Sequence, residues 1–246
     1  MTELPKTLLL TGASRGIGHA TVKRFGAAGW RVITVSRQPF SADCPWEGGA
    51  ANHVQMDLGD IAALPAGIED VRRRINDGRL DALVNNAGIS PKGSNGARLG
   101  VFDTDMDAWQ RVFNVNLFAI AMLARGLAEE LKRAHGAIVN VTSIAGSRVH
   151  PFAGVAYAAS KAALAALTRE MAHDFGPHGV RVNAIAPGEI DTAILSPGTD
   201  EIVRRDIPMH RLGKAEEVAA TIYFLCSAAA SYVNGAEIHI NGGQHV

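Results

Sequence analysis

Cysteine is scarce in this chain. Only Cys44 and Cys226 occur in 246 residues, far apart and with no Cys-x-x-Cys pair, which argues against a disulfide framework or a thiolate zinc site and fits a reducing compartment. An excess of charge of either sign is also lacking: 24 Lys plus Arg balance 24 Asp plus Glu. No global field therefore draws nucleic acid or an anionic membrane, and the expected partners are small molecules. The nine histidines form no pair at ligand spacing with a carboxylate, so no metal is expected. No apolar run approaches the ~18 residues that span a bilayer, and Met1 to Lys6 lead into an apolar strand without a signal-type segment. A cytoplasmic protein is expected. What is present is a 47% hydrophobic composition, enough to bury one full core, so residues 1–246 read as a single domain.

Tyr157-Ala-Ala-Ser-Lys161 carries the first chemical signal. In a helix, residues four apart share a face, which sets a cation beside a phenol. A nearby positive charge favours the phenolate, and a phenol lowered from its usual ~10 can exchange a proton near neutral pH. Taken alone, the spacing equally fits a surface tyrosine followed by a solvated lysine.

The rest of the chain alternates strands and helices. An apolar strand at Thr7 to Leu10 runs into Thr11-Gly-Ala-Ser-Arg-Gly-Ile-Gly18 and then a helical pattern to Ala28. In this strand, turn and helix unit, Gly12 serves the tight turn, Gly16 the approach of a pyrophosphate, and Gly18 close packing of helix on strand. Further strands are predicted at Arg31 to Val35, His53 to Leu58, Leu80 to Val84, Ala137 to Val141, Arg181 to Ala186 and Glu237 to Ile240. Between them, helices are predicted at Ile61 to Ile75, from a Thr104 cap without interruption to about Arg133, from Tyr157 to Phe175, and at Ala215 to Ala228. Gln38 to Ala51 has no helical period and reads as a loop. Ile89 to Asp103 reads as a long loop bordering a pocket, and Asp191 to Leu212 as a lid. The alternation predicts an α/β fold with a mainly parallel sheet covered on both faces and a site at the carboxyl ends of the strands.

Over essentially its whole length the chain resembles the short-chain dehydrogenase/reductase family, including its 3-oxoacyl-acyl-carrier-protein reductases. The resemblance rests on the glycine turn, Asn85-Asn-Ala-Gly88, Asn116, Ser143, Tyr157-x-x-x-Lys161 and Pro187-Gly-x-x-x-Thr192, in that order. It implies a Rossmann sheet of seven strands, a nicotinamide dinucleotide, and interconversion of alcohols and carbonyls. It also implies roles: Tyr157 as general acid/base, Ser143 on the substrate oxygen, Lys161 on the nicotinamide ribose and lowering the pKa of Tyr157, and Asn116 placing a water in a proton relay. Cofactor contacts are implied at Gly12, Ser14, Arg15, Gly16, Ile17, Gly18, Ser36, Arg37, Asp57, Leu58, Asn86, Ala87, Gly88, Tyr157, Lys161, Pro187, Gly188, Ile190 and Thr192. Family members commonly form tetramers, so a homotetramer is expected. The silent alternative, a dinucleotide-binding sensor, would not need all of Asn116, Ser143, Tyr157 and Lys161. His150 falls near the expected pocket without an assignable role.

Cofactor choice is legible at the end of the second strand. An acid there binds the adenine ribose hydroxyls and repels a 2′-phosphate. This chain has Val35-Ser36-Arg37 instead, with Arg15 in the glycine turn. Two cations and no carboxylate predict NADP(H) over NAD. Arg204 and Arg205 in the lid read either as a greeting for an acidic substrate or as a solvated face.

Overall fold

The run Thr-Leu-Leu-Leu-Thr of β1 (Thr7–Thr11) is buried from end to end, as a strand must be when sheet neighbours flank it and helices cover both faces. The computed structural model describes residues 4–40, 48–192 and 198–246. Cys44 and the middle of the crossover after Arg37 fall outside these residues, as does Pro197 of the lid. In chain order come α1 (Gly16–Ala27), β2 (Arg31–Ser36), β3 (His53–Gln55), α2 (Leu64–Arg74), β4 (Ala82–Asn85) and α3 (Met106–Phe113). They are followed by α4 (Ala119–Gly126), α5 (Ala128–Ala134), β5 (Ala137–Val141), α6 (Val155–Phe175) and β6 (Arg181–Pro187). The last are β7 (Ile190–Asp191), α7 (Thr199–Asp206), β8 (Gly213–Lys214), α8 (Ala215–Cys226) and β9 (Glu237–Ile240).

Seven strands form one parallel sheet in the order β3-β2-β1-β4-β5-β6-β9, and β7 pairs with β8 apart from it. The order reverses at β1, which pairs with β2 on one side and β4 on the other. A crevice opens at the carboxyl ends of strands at such a switch point. Alternating side chains serve opposite layers. Leu9, Ile33, Leu83, Ile138 and Val182 pack with α2, α4 and α5. Leu8, Leu10, Val84, Val139 and Ile185 pack with Phe25 of α1 and Val218, Ile222 and Leu225 of α8.

A buried polar thread crosses the centre. Asn85 Nδ2 donates to Asn140 Oδ1 at 2.8 Å, and Asn140 Nδ2 donates to Thr168 Oγ1 at 2.9 Å. It fixes β4, β5 and α6 to one another, because a buried amide left without its partner costs about 1–3 kcal/mol.

The uninterrupted helix expected from Thr104 to Arg133 is instead three pieces. Asp105, not Thr104, caps it: Asp105 Oδ1 accepts from the Ala108 amide at 2.7 Å, while Thr104 Oγ1 donates to Gly100 O. A π-turn spans Asn114–Phe118, and at Leu127 the axis bends by 61°. The bend has a visible cause, since Arg72 Nη2 donates to Gly126 O at 2.5 Å and draws that carbonyl away from the helical ladder. The same Arg72 pairs with buried Glu130 of α5 at 2.9 Å. β3 is also shorter than expected, ending at Gln55, and α2 begins at Leu64, where Pro65 sits in its first turn. Among the described residues no single helix is long and apolar enough to cross a membrane.

Candidate active site

The glycine turn is clamped to the segment after β4. Thr11 Oγ1 accepts the Asn86 and Ala87 amides, each at 3.1 Å. Asn86 Nδ2 returns bonds to Thr11 O at 3.2 Å and Gly12 O at 2.8 Å. Gly12 has φ +72°, and a Cβ there would lie 2.9 Å from the Ala87 backbone; one on Gly18 would lie 2.0 Å from Gly12 O. Both positions therefore require glycine. Gly16 (φ +54°) faces Thr192, whose Cγ2 would be 3.2 Å from an added Cβ. α1 starts after Arg15 with neither a side-chain cap nor an acid in its first turn, so its amides stay free for an anion. Ser14 and Arg15 are exposed around this rim, and Ile17 packs into the core behind it.

At the end of β2, Ser36 Oγ donates to Gln38 O at 2.8 Å, and the Arg37 carbonyl accepts from Gln55 Nε2 at 3.0 Å. His53 bridges Thr34 Oγ1 and Gln38 O, at 2.9 Å each. Side chains of β3 thus hold the backbone from which the exposed Arg37 guanidinium projects. Asp57 is exposed and forms a turn, its Oδ1 accepting the Gly59 amide at 2.8 Å; Leu58 is buried beside it.

On the other side of the crevice, α6 places Tyr157 and Lys161 one turn apart, with Lys161 Nζ 5.6 Å from the Tyr157 ring centroid. Ser143, whose hydroxyl acts on the Tyr157 phenol, caps the short 3-10 turn Ile144–Gly146 by accepting the Ala145 amide at 3.2 Å. A Cβ on Gly146 would stand 2.9 Å from the Ala162 amide nitrogen, so this glycine lets the turn lie against α6. Asn116, in the π-turn, is fully buried. Its amide exchanges two bonds with the Ile89 backbone, at 2.9 and 3.0 Å, and donates to Ser160 Oγ at 3.0 Å. Asn116 Oδ1 and Lys161 Nζ both border Gly88.

The electrostatics correct one expectation. Lys161 was expected to lower the Tyr157 phenol, yet that pKa is raised. Burial is the largest cause and the Glu189 charge adds to it, while the Ser143 hydrogen bond acts in the opposite direction. The Lys161 ammonium donates to Val141 O at 2.6 Å. Its own pKa is pushed down to about 8 by burial. The pair is adjacent as the spacing implied, but burial dominates its charges.

Pro187 and Ile190 are buried, and the Gly188 amide donates to Ile240 O at 3.0 Å, closing the turn that carries Thr192. The lid arginines have partners on their own helix: Arg204 pairs with Glu201 and Arg205 with Asp206 at 2.7 Å. The solvated-face reading holds for them. Two residues outside the expected set join His150 at the substrate end. His150 Nε2 meets Glu189 Oε1 at 2.6 Å, and Lys92 Nζ donates to Phe152 O. Glu189 occupies the first variable position of Pro187-Gly-x-x-x-Thr192, and Lys92 follows Asn85-Asn-Ala-Gly88 closely. Charged residues at those offsets were the available signal.

The cradle fits a dinucleotide: close-packed glycines and uncapped amides suit its pyrophosphate. Comparison with known proteins agrees. A family model described as enoyl-(acyl carrier protein) reductase matches residues 12–245. Protein FixR of Bradyrhizobium diazoefficiens is 61% identical over 98% of this chain and 87% of its own length. The 3-oxoacyl-[acyl-carrier-protein] reductase FabG of Aquifex aeolicus is 35% identical over 97% of this chain and 96% of its own. A crystal structure of a Brucella ovis oxidoreductase in complex with a partially ordered NAD shares 60% identity with a TM-score of 0.85, covering 97% of this chain and 100% of that one. With a family model over residues 12–245 and relatives matched over nearly the whole length of both chains, this chain belongs to the short-chain dehydrogenase/reductase family of NAD(P)-dependent oxidoreductases.

Proposed function

We propose that this enzyme interconverts a carbonyl and a secondary alcohol with NADP(H). The observation that carries the proposal is the placement of Tyr157 and Lys161 one turn apart on α6, with Lys161 Nζ 5.6 Å from the Tyr157 ring centroid, at the carboxyl edge of the sheet beside the turn that Ser143 caps. A bound nicotinamide dinucleotide supplies the hydride. Reduction builds negative charge on the carbonyl oxygen. Ser143 Oγ orients that oxygen by donating to it, and Tyr157 Oη delivers the proton. Lys161 would hold the nicotinamide ribose, and its ammonium, 5.6 Å from the Tyr157 ring centroid, would favour the phenolate that proton delivery leaves behind. Asn116 fixes the floor beneath Gly88 and Ser160 and places the water that returns a proton to Tyr157.

Arg37 and Arg15, with no acid at the end of β2, support NADP(H) as the cofactor. The NAD in the Brucella ovis relative is that protein's ligand. A 3-oxoacyl thioester is the second reading of the substrate, supported by the name of the Aquifex aeolicus relative. Exposed Phe102 before α3, Met106 at its start and Phe118 at the end of the π-turn support a tetramer that covers them. The test is a panel of ketones, sugars and acetoacetyl thioesters mixed with enzyme and NADPH, followed by nicotinamide absorbance. Oxidation with at least one carbonyl is the expected result. Tight NADPH binding without oxidation by any of them would overturn the reading.

A further inference from the structure

Three charged or titratable side chains without a role in the chemistry above converge beside Tyr157. Lys92 comes from the loop after β4, His150 from the loop after β5 and Glu189 from the turn after β6, so three strands deliver them to one edge. The Phe152 peptide orients two of them. Its N–H donates to His150 Nδ1 at 3.3 Å, which leaves the imidazole proton on Nε2 to donate to Glu189 Oε1 at 2.6 Å. Its carbonyl accepts from Lys92 Nζ. The Glu189 side chain is only 12% exposed. Among the described residues its second oxygen, Oε2, has no hydrogen-bond partner. The carboxylate follows β6, which pairs with β5, and Ser143 follows β5, so Glu189 lies on the carboxyl edge that carries Ser143 and Tyr157; its charge there acts on Tyr157 and Lys92.

We propose that Glu189 Oε2, oriented by His150, recognises a hydroxyl on the carbon next to the reacting carbon, so that the substrate is an α-hydroxy carbonyl compound and the product a vicinal diol. The inference deepens the carbonyl–alcohol reading above and rests on it. Charge selects the hydroxyl among possible groups. A substrate carboxylate would meet Glu189, an ammonium would meet Lys92, and an alkyl chain would displace water from a carboxylate oxygen and offer no donor in its place. A hydroxyl donates to Glu189 and can accept from Lys92 with its lone pairs. No bond to that hydroxyl is made or broken; it donates to Glu189 in substrate and product alike.

The experiment compares matched pairs with NADPH: 3-hydroxybutan-2-one against butan-2-one, and hydroxyacetone against acetone. Wild type should favour the hydroxylated member in kcat/KM by about 10- to 100-fold, the range for a hydrogen bond to a charged group. Glu189→Leu should bring both ratios to within about 3-fold of one, with Glu189→Gln between. A wild-type ratio near or below one, or a ratio that survives Glu189→Leu, overturns the proposal. Where a protein turns over neither ketone, calorimetry of butane-2,3-diol against butan-2-ol on its NADP+ complex decides in the same way: a diol preference in wild type that is lost in Glu189→Leu supports the proposal, and its absence or persistence overturns it. A wild type that reduces no carbonyl but still prefers the diol breaks the carbonyl–alcohol reading and leaves the hydroxyl site standing.

Discussion

The two sides of the crevice are built from different materials. Around β1 and α1 the chain offers backbone: glycines without Cβ atoms, free amides, and a Thr11 hydroxyl spent on two peptide N–H groups. Around α6 it offers side chains, with Lys161, Tyr157, Asn116 and Ser160 all drawn into the interior or its edge. Backbone can receive a dinucleotide without holding any charge out of water. The side-chain wall must bury charge, and that burial sets its proton affinities. Damage to the first side should therefore appear in cofactor binding, and damage to the second in chemistry and in pH-dependent stability.

Tyr157→Phe breaks the side-chain wall with the largest effect. It keeps the ring and its packing but removes the proton, so turnover should fall by about 10²–10⁴-fold, while NADPH affinity measured by fluorescence titration stays within about 2-fold. Near-normal turnover would remove Tyr157 from the mechanism.

Lys161→Met should separate activity from stability. Lys161 is buried without a carboxylate, and its pKa falls from 10.5 to about 8. The folded value lies below the unfolded one, so at pH 7 the folded protein bears the full cost of the buried charge. As pH rises from about 8 to 10.5 the unfolded chain binds more protons, and wild-type stability should rise. The shift corresponds to roughly 3 kcal/mol, less about 1 kcal/mol for the lost bond to Val141 O. The apo variant should thus be more stable at pH 7 by about 2 kcal/mol in urea titrations, and inactive. Its advantage should shrink toward pH 10, and an advantage independent of pH would show that the ammonium is not the cause.

Gly18→Ala attacks the backbone side. Its Cβ would stand 2.0 Å from Gly12 O, so the turn must move. A loss of about 1–3 kcal/mol in stability and at least about 10-fold in NADPH affinity is expected, with Tyr157 chemistry intact at saturating cofactor. Wild-type-like affinity would mean that the turn can move without consequence.

The smallest expected effect concerns the one place where the backbone side uses charge. Wild type should prefer NADPH to NADH by at least about 10-fold in kcat/KM, about 1.4 kcal/mol, and the Ser36→Asp, Arg37→Ala double variant should reverse the order. Equal efficiencies in the wild type would show that the exposed Arg37 does not read the 2′-phosphate.

The same division governs what could be read from the residues alone. The backbone side was legible because glycine spacing and strand position are local: β1 and α1 end within about one residue of where the pattern placed them. The bend at Leu127 was not, because its cause is an arginine from α2, far away in the chain. The Tyr157 and Lys161 spacing gave the adjacency but not the proton affinities, since depth of burial belongs to the assembled sheet. Lys92, Glu189 and the partner of His150 escaped for a related reason: each residue sits in a different loop, and only the parallel register brings the loops to one edge.

The amide thread through Asn85, Asn140 and Thr168 has one more consequence, for how the chain finds this arrangement. If β5 slid by one residue along β4, every side chain of β5 would exchange layers. Asn140 would then leave both partners, stranding Asn85 and Thr168 in a hydrocarbon interior. Alternation of valine, isoleucine and leucine tolerates such a slip poorly; a chain of two buried hydrogen bonds through Asn140 tolerates it less. The thread therefore acts as a register key during assembly, penalising mispaired sheets that apolar contacts alone would leave close in energy.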